Sequence, residues 1–580
     1  MNFYTFSNYL NRLDSTSKRL EMTDILSELI SELPINEVKV GVYLSLGTLK
    51  APFQDLKFNF ADKQMIKSLA LFSGRDPEEI NKMYSTEGDL GSVGFLISEE
   101  IKNPTLSLSN VYEKLEEIAL IEGTGSQDKK NQKIISLLKS LDPLSNKFVI
   151  RIILGNNRLG FTELTIIDAL CKFLGDKSLK SKIEEAYNRF PDIGDISEKI
   201  KENGIEGIKK IKIKPGVPIL PQKAQRLNTP EEIIEKMDKV WCEYKFDGTR
   251  VQLHLDKKNT NSHSDLFGES TKFLVKTFTR NLEETTHQYP DIIEDAIKQL
   301  DVESVILDGE AIGFNKETGE YLPFQETIQR KRKHNVLEIA KQIPLKYLVF
   351  DILYLDGEET IKLPLVERRK LLNKIVKKGG NIEVDLHLET SEVSEVENFF
   401  NEAKHKRLEG IMVKKPDSLY EAGARAFSWI KFKRNENTDV LDTVDVVVMG
   451  YFFGKGVRSE FGIGGFLVGI YDKETNTYQS ISKVGSGLTD EEWVKIKSDC
   501  DKIMSQDKPK DYDINKDMFP DVWVQPKIVV TIRADEVSIS PIHTAGIALR
   551  FPRLISFRDD KSSTDTTSLE EIKVIYNLKK

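Results

Sequence analysis

The sequence predicts a multidomain chain built from three kinds of structure in series. These are an all-α part over residues 1–214, an α+β part over 215–436 and an all-β part over 437–580. Three observations carry that prediction. Apolar residues recur at helical spacing up to about Gly207 and then stop doing so. Three prolines within residues 212–221 (KIKPGVPILP) forbid a helix there and mark a linker. Beyond Asn435-Glu436-Asn437, short strands punctuated by glycines replace the alternating strands and helices of the middle part.

In the first part, residues 6–13, 22–33, 63–72, 110–121, 132–138 and 162–173 carry the helical period. Asp and Ser near several of their starts are suitable N-caps. The region offers no metal cluster and no nucleophile with a base, so by itself it reads as a helical binding or scaffold domain. Composition sets the outer limits. At 580 residues the chain is too long for one ordinary core. Its 39% hydrophobic and 30% charged content is that of a globular protein. No run of eighteen apolar residues is present, so no transmembrane helix is expected. The start, Met1-Asn2-Phe3-Tyr4-Thr5-Phe6, lacks the basic and apolar blocks of a secretory signal, so an intracellular location is expected. Cys171, Cys242 and Cys500 form no Cys-x-x-Cys pair, which argues against a disulfide framework or a zinc ribbon. A net charge of −8 does not advertise a nucleic-acid binder, although a large protein can gather positive charge on one face. The basic clusters at 209–214, 330–333, 368–370 and 431–434 read first as solvated surface.

The middle part holds the chemistry. In Glu243-Tyr244-Lys245-Phe246-Asp247-Gly248-Thr249-Arg250, residues 241–245 read as a short strand, Asp247-Gly248 as a tight turn and 251–255 as a second strand. Side chains two apart on a strand share a face, so Glu243 and Lys245 point one way while Cys242, Tyr244 and Phe246 point to the core. A lysine is nucleophilic when its amine is deprotonated, and nearby cations or burial favour that form. Five more runs follow. Thr277-Phe278-Thr279-Arg280-Asn281 closes a strand with an arginine, and Asp308-Gly309-Glu310 puts two acids on one strand face. Residues 347–354 form a buried strand around Phe350, and residues 408–414 carry Glu409 and Lys414. Trp429-Ile430-Lys431-Phe432-Lys433 sets two lysines opposite two core residues, with Arg425 upstream. Glu409 and Lys414 fall on opposite faces of a regular strand, so serving one pocket requires a kink near Gly410. Singly, each run has a bland explanation: a core phenylalanine, an edge strand guarded by lysines. Together they describe a polyphosphate pocket, with cations for phosphates, acids for Mg²⁺ and an aromatic for a base.

In the last part, strands are expected over 445–451, 465–471, 478–484 and 528–533, with one helix near 491–503; this suits a small closed barrel such as an OB-fold. The end of the chain, with Arg550, Phe551, Arg553, Phe557, Arg558 and Lys561, suits a loop facing phosphates.

The order of these runs resembles the ATP-dependent DNA ligases, of the archaeal and eukaryotic-replicative type, over nearly the whole chain. Residues 11–21 (NRLDSTSKRLE) and 151–160 (RIILGNNRLG) look like that family's helical DNA-binding domain. Residues 245–250 look like its nucleotidyl-lysine motif, and Asp308-Gly309-Glu310, Phe350, 409–414 and 429–433 follow in the expected order. Residues 324–334, 364–369, 483–487 and 550–561 are further family-like runs. Three features depart from the pattern: a polar insertion at 257–271, Thr279 where serine is usual, and Gln222-Lys223 in place of an apolar pair.

The resemblance implies a DNA-binding domain, an adenylation domain and an OB-fold domain. It also implies sealing of 5′-phosphate/3′-hydroxyl nicks through a lysine-linked AMP on Lys245 and a DNA-adenylate, in replication, repair and recombination. Glu243 would read the adenine edge and Phe350 stack on the ring. Arg250, Arg280, Glu310, Arg425 and Lys431 would bind the rest of ATP. Lys414, Lys433, Arg550, Arg553 and Lys561 would support the phosphates. Glu310 and Glu409 would hold Mg²⁺, for which Mn²⁺ is a substitute. Lys414, Lys431 and the metal would lower the pKa of Lys245. The implied partner is nicked double-stranded DNA, with a sliding clamp as a further one; a monomer is expected, with no membrane association, in the cytoplasm and with the nucleoid if the source is archaeal. Residues 435–439 would be the hinge. Two rival functions remain at this point: another covalent nucleotidyltransferase (RNA ligase or mRNA capping guanylyltransferase) and a non-catalytic DNA clamp.

Overall fold

The computed structural model describes residues 1–100, 106–259, 273–331, 336–406, 408–433, 443–454, 458, 460–534 and 536–575. The hinge at 435–439 and nearly all of the polar insertion after Lys257 lie outside the described residues. The chain divides into two compact units. One comprises Met1–Phe60 and Ile101–Arg434, the other Ala61–Glu100 and Asn435–Lys580.

In the first unit the helices Phe3–Asp14, Arg19–Glu32, Leu108–Ala119, Ser126–Leu138 and Glu163–Phe173 match the helical period of the sequence. Ser107, Asp142 and Asp192 cap helices by accepting from the backbone N–H of Asn110, Ser145 and Asp195. The helices Ile35–Leu46 and Pro143–Ile153 were not legible. The first is buried on most faces and shows little apolar stripe, and the second is buried along nearly its whole length.

The rest of the first unit is built on ten strands: β1 (Lys223–Arg226), β2 (Val240–Lys245), β3 (Thr249–Asp256), β4 (Leu274–Thr279), β5 (Ser304–Gly313), β6 (Leu345–Leu355), β7 (Ile382–Val384), β8 (His387–Thr390), β9 (Gly410–Lys414) and β10 (Arg425–Lys433). They form two five-stranded sheets, in the orders β1-β10-β9-β2-β8 and β4-β3-β5-β6-β7. Each sheet packs on its own helices. Ile233, Val396 and Phe400 cover the first, and Ile292, Ala296 and Leu372 the second. A third cluster joins Ile306 and Leu353 of the second sheet to Trp429 of the first. The turn expected at Asp247-Gly248 therefore does not close a hairpin: β2 and β3 belong to different sheets, and the turn carries the chain from one to the other. Gly248 is needed there because a Cβ would stand 2.6 Å from the Ala311 carbonyl oxygen. The linker at 212–221 has no helix or strand. It docks on β3, where Gln252 accepts from Ile219 N–H at 2.8 Å and His254 Nδ1 accepts from Gly216 N–H at 3.1 Å.

The second unit contains the helices Asp62–Ser73, Pro77–Glu87 and Leu90–Ile97. It also contains β11 (Val444–Phe452), β12 (Gly465–Asp472), β13 (Thr477–Val484), β14 (Met504–Ser505), β15 (Tyr512–Asp513), β16 (Val522–Val524), β17 (Val529–Arg533), β18 (Glu536–Ile539), β19 (Ile547–Arg550) and β20 (Arg553–Phe557). The main sheet runs β14-β16-β11-β12-β13-β15, with β17 joining β11 to β20, around a core of Val446, Val448, Phe466, Val468, Ile481 and Val530. This is the OB-fold part that the strand pattern predicts. The helix Asp490–Asp501 begins with a capping box of Thr489 and Glu492. Among the described residues no helix is long and apolar enough to cross a membrane.

Candidate active site

A cavity of about 440 Å³ opens in the first unit, and both of its sheets supply the walls. Strands β2, β9 and β10 contribute Glu243, Lys245, Lys414, Arg425, Trp429 and Lys431; β3, β5, β6 and the turn after β4 contribute Arg250, Glu310, Phe350 and Arg280. Its volume lies in the range of small-molecule sites, roughly 300–1,000 Å³. Nine of the residues singled out in the sequence thus line one space.

Lys245 ends β2 with its side chain half-buried, and its amine pairs with Glu409, which also pairs with Lys433. Glu409 is held there because its N–H donates to the Lys245 carbonyl at 3.1 Å. The next residue, Gly410, has a φ of +146°, which supplies the expected kink; a Cβ on it would stand 2.4 Å from the Phe432 carbonyl oxygen. The Lys245 amine has a lowered pKa. Burial is the main cause, Arg280 and Arg250 add to it, and Glu310 and Asp247 oppose it. The resemblance gives that effect to Lys414 and Lys431, and Lys431 interacts electrostatically with Lys245. Lys414 is committed elsewhere, and Lys431 is itself lowered by burial, Arg425 and Lys245.

At the deep end, Glu243 is 1% exposed and sits between Arg369, with which it ion-pairs, and Lys414 at 2.5 Å. Lys414 also lies 4.6 Å from the Phe350 ring centroid and 4.3 Å from that of Trp429. Arg369 donates to the Asp385 carbonyl at 2.6 Å, and the Asp385 carboxyl is pushed well above the carboxylate range by burial and by Glu243. This end therefore presents two aromatic rings and a clamped carboxylate.

Arg250 grips Asp308 through two bonds of 3.0 and 2.6 Å and donates to the Gln222 carbonyl at 2.9 Å. Tyr420 donates to the same Asp308 at 2.9 Å. The guanidinium is thereby held 5.4 Å from the Phe350 ring. Opposite Arg250 on β5, Glu310 has its carboxyl pushed up to about 7, chiefly by burial and against the pull of Lys245 and Arg250. A carboxyl whose folded pKa is raised contributes stability below its unfolded pKa and loses it as pH rises through the folded value. The wild type is expected to lose thermal stability relative to Glu310→Gln as pH rises from about 4.5 to about 7, and melting both proteins across that window checks it.

Among the described residues no three His, Cys, Asp or Glu side chains form a metal-binding group. Of the two carboxylates expected to hold a metal, Glu310 lines the cavity, while Glu409 is paired with Lys245 and Lys433.

Arg550 and Arg553 end β19 and begin β20 in the second unit, and Lys561 follows. Lys561 pairs with Asp445 at 2.6 Å, as does Arg558 at 2.9 Å. Two basic clusters read as surface contain buried arginines. Arg330 pairs with Asp291 at 2.6 Å and Arg368 with Asp351 at 2.6 Å, both arginines fully buried. Arg369 and Trp429 are the site residues whose parts the sequence reading missed. Both stand in family-like runs; Arg369 reaches Glu243 from the helix Leu365–Ile375, and the β9–β10 pairing sets Trp429 beside Lys414.

Comparison with known proteins gives this arrangement its context. Residues 2–171 match the model "DNA ligase N terminus", 221–433 "ATP dependent DNA ligase domain" and 459–561 "ATP dependent DNA ligase C terminal region". A probable DNA ligase of Dictyoglomus turgidum is 40% identical over 99% of this chain and 97% of its own. The chain belongs to the ATP-dependent DNA ligase family. The DNA ligase of Sulfolobus acidocaldarius is 37% identical over 99% of this chain and 98% of its own. The solved structure titled "Pmar-Lig_PreS3" has the same fold, with a TM-score of 0.53 at 17% identity over 95% of this chain and 99% of its own. The ligase thus has the family's three parts: a helical DNA-binding part, a middle adenylation part and a C-terminal OB-fold part. It is an enzyme that joins DNA strands at the expense of ATP.

Proposed function

We propose that this ligase seals nicks through an adenylyl group carried on Lys245. The carrying observation is the lowered amine pKa of Lys245 in a cavity that also holds Arg250, Arg280 and Arg425, the buried Glu243, and the rings of Phe350 and Trp429. The Lys245 amine, losing its proton, bonds to the α-phosphorus of ATP as the bond to pyrophosphate breaks. The phosphorus–nitrogen bond then breaks as the 5′-phosphate of the nick bonds to AMP. Last, the 3′-hydroxyl attacks that phosphate and AMP leaves. Burial and the fixed Arg250 favour the amine and orient the nucleotide before any bond changes. Glu243, set by Arg369 and Lys414, faces the base, and Phe350 packs on it. Arg280, Arg425, Lys431 and Lys433 face the phosphates, with Arg550, Arg553 and Lys561 joining from the OB-fold part. Glu310 and Glu409 would hold Mg²⁺, which supplies charge neutralisation when bound.

The domain boundaries are placed near residues 214 and 436. The ligase acts as a monomer in the cytoplasm on nicked duplex DNA, through phosphate contacts that weaken as salt rises, with a sliding clamp as a further partner. Sealing of a labelled nicked duplex is expected with ATP and Mg²⁺, and its loss after chelation of the metal. Labelling of the protein with α-labelled GTP in preference to ATP would instead favour the capping-type reading.

A further inference from the structure

The turn that carries Arg280 into the cavity holds a strained residue. Leu282 has a φ of +68°, a conformation that costs a leucine its usual backbone preference. The turn is closed by Leu282 N–H donating to the Thr279 carbonyl and Thr279 N–H donating to the Glu283 carbonyl, both at 2.9 Å. Thr279, Arg280, Asn281 and Glu283 line the cavity, whereas Leu282 points away and is 5% exposed. It is buried by residues far off in sequence. Ala51 and Phe53 of the helical part pack with Leu282 and Phe278 in one apolar cluster. Lys57, from the same loop, pairs with Glu283 at 2.7 Å. That loop is fastened at both ends. Phe53 meets Phe190 edge-on at 6.3 Å, and the buried amine of Lys130 donates to the Phe58 carbonyl at 2.6 Å.

We infer that the loop at residues 51–60 is a positioning element for the ATP site: Phe53 buries Leu282, and this holds the turn in the strained shape that presents Arg280. Strained backbone persists where the surroundings over-determine it, and here they come from Ala51 and Phe53 of the helical DNA-binding part together with Val217 and Leu220 of the linker. The helical part therefore sets ATP affinity before any DNA is bound. This inference rests on the reading of the cavity as the ATP site.

The test uses the full-length chain without DNA and measures the rate of covalent labelling against the concentration of α-labelled ATP. Phe53→Ala is expected to raise the half-saturating ATP concentration by roughly five- to thirtyfold while the maximal rate changes less. Adding Leu282→Gly to Phe53→Ala should recover most of that loss, because glycine adopts a positive φ without strain. A merely structural contact predicts the opposite, since the double variant loses more apolar packing than the single one. A Phe53→Ala protein with wild-type ATP dependence, or a double variant no better than Phe53→Ala, overturns the inference. Arg280→Ala is run alongside: if it labels normally at wild-type ATP concentrations, the assignment of Arg280 to the nucleotide fails instead.

Discussion

Lys245→Ala is expected to abolish sealing of an ordinary nick while leaving the last transfer intact. The substitution removes the only atom proposed to bond to the α-phosphorus, so sealing from ATP should fall on the order of a millionfold, the cost of deleting a covalent nucleophile. The side chain is half-buried and its pairing with Glu409 is shared with Lys433, so the fold has little dependence on it. The final step needs no lysine–phosphorus bond. A duplex carrying a pre-adenylated 5′-phosphate should therefore still be sealed by Lys245→Ala, without ATP. Gel analysis of the two substrates side by side separates the roles; loss of both reactions would make Lys245 a residue of general structure.

Arg368→Met is expected to destabilise the first unit by roughly 3–5 kcal/mol, lowering its melting transition by roughly 6–20 °C. Arg368 and Asp351 are both fully buried and joined by bonds of 2.6 and 3.0 Å, and Arg368 also donates to the Leu363 and Ser418 carbonyls. Removing the guanidinium strands a carboxylate in the interior. Burial raises the Asp351 pKa, but Arg368 and Lys414 outweigh it, so the net shift is downward. The stability it contributes is therefore present above the unfolded value, about 3.9, and is lost as pH falls through the lower folded value. Arg368→Met combined with Asp351→Leu should cost less than Arg368→Met alone, because no buried charge is left unpaired. Thermal melts of the three proteins at neutral pH decide it.

Local signals in the sequence located most of the strands. β2, β3, β9, β11, β12, β13 and β17 were expected within a few residues of where they lie, because each is a short β-rich run bounded by glycine or a polar turn. The pocket residues were legible for the same reason, as charges standing on strands that are otherwise apolar. Pairing was not legible. Nothing local to Asp247-Gly248 says that the flanking strands enter different sheets, yet that crossing puts Lys245 opposite Glu310 and Arg250. The division of labour among the lysines was hidden too. Lys414 and Lys431 look equivalent in sequence, but the register Trp241↔Lys414 and Lys414↔Trp429 sets Lys414 beside Glu243. Arg369 was read as part of a surface cluster because a buried arginine is recognisable only through its partner. The helix Ile35–Leu46 escaped because burial on most faces weakens the period that marks an amphipathic helix.

The central claim is that Lys245 carries the adenylyl group, and site-mapping of the adduct tests it most directly. The full-length ligase is incubated with α-labelled ATP and Mg²⁺ without DNA, digested under conditions that preserve phosphoramides, and its labelled peptide sequenced by mass spectrometry. The account predicts one labelled peptide, containing Glu243 to Arg250, with the added mass of one adenylyl group on Lys245. Label on another residue, or no covalent label while nicks are still sealed, would contradict it.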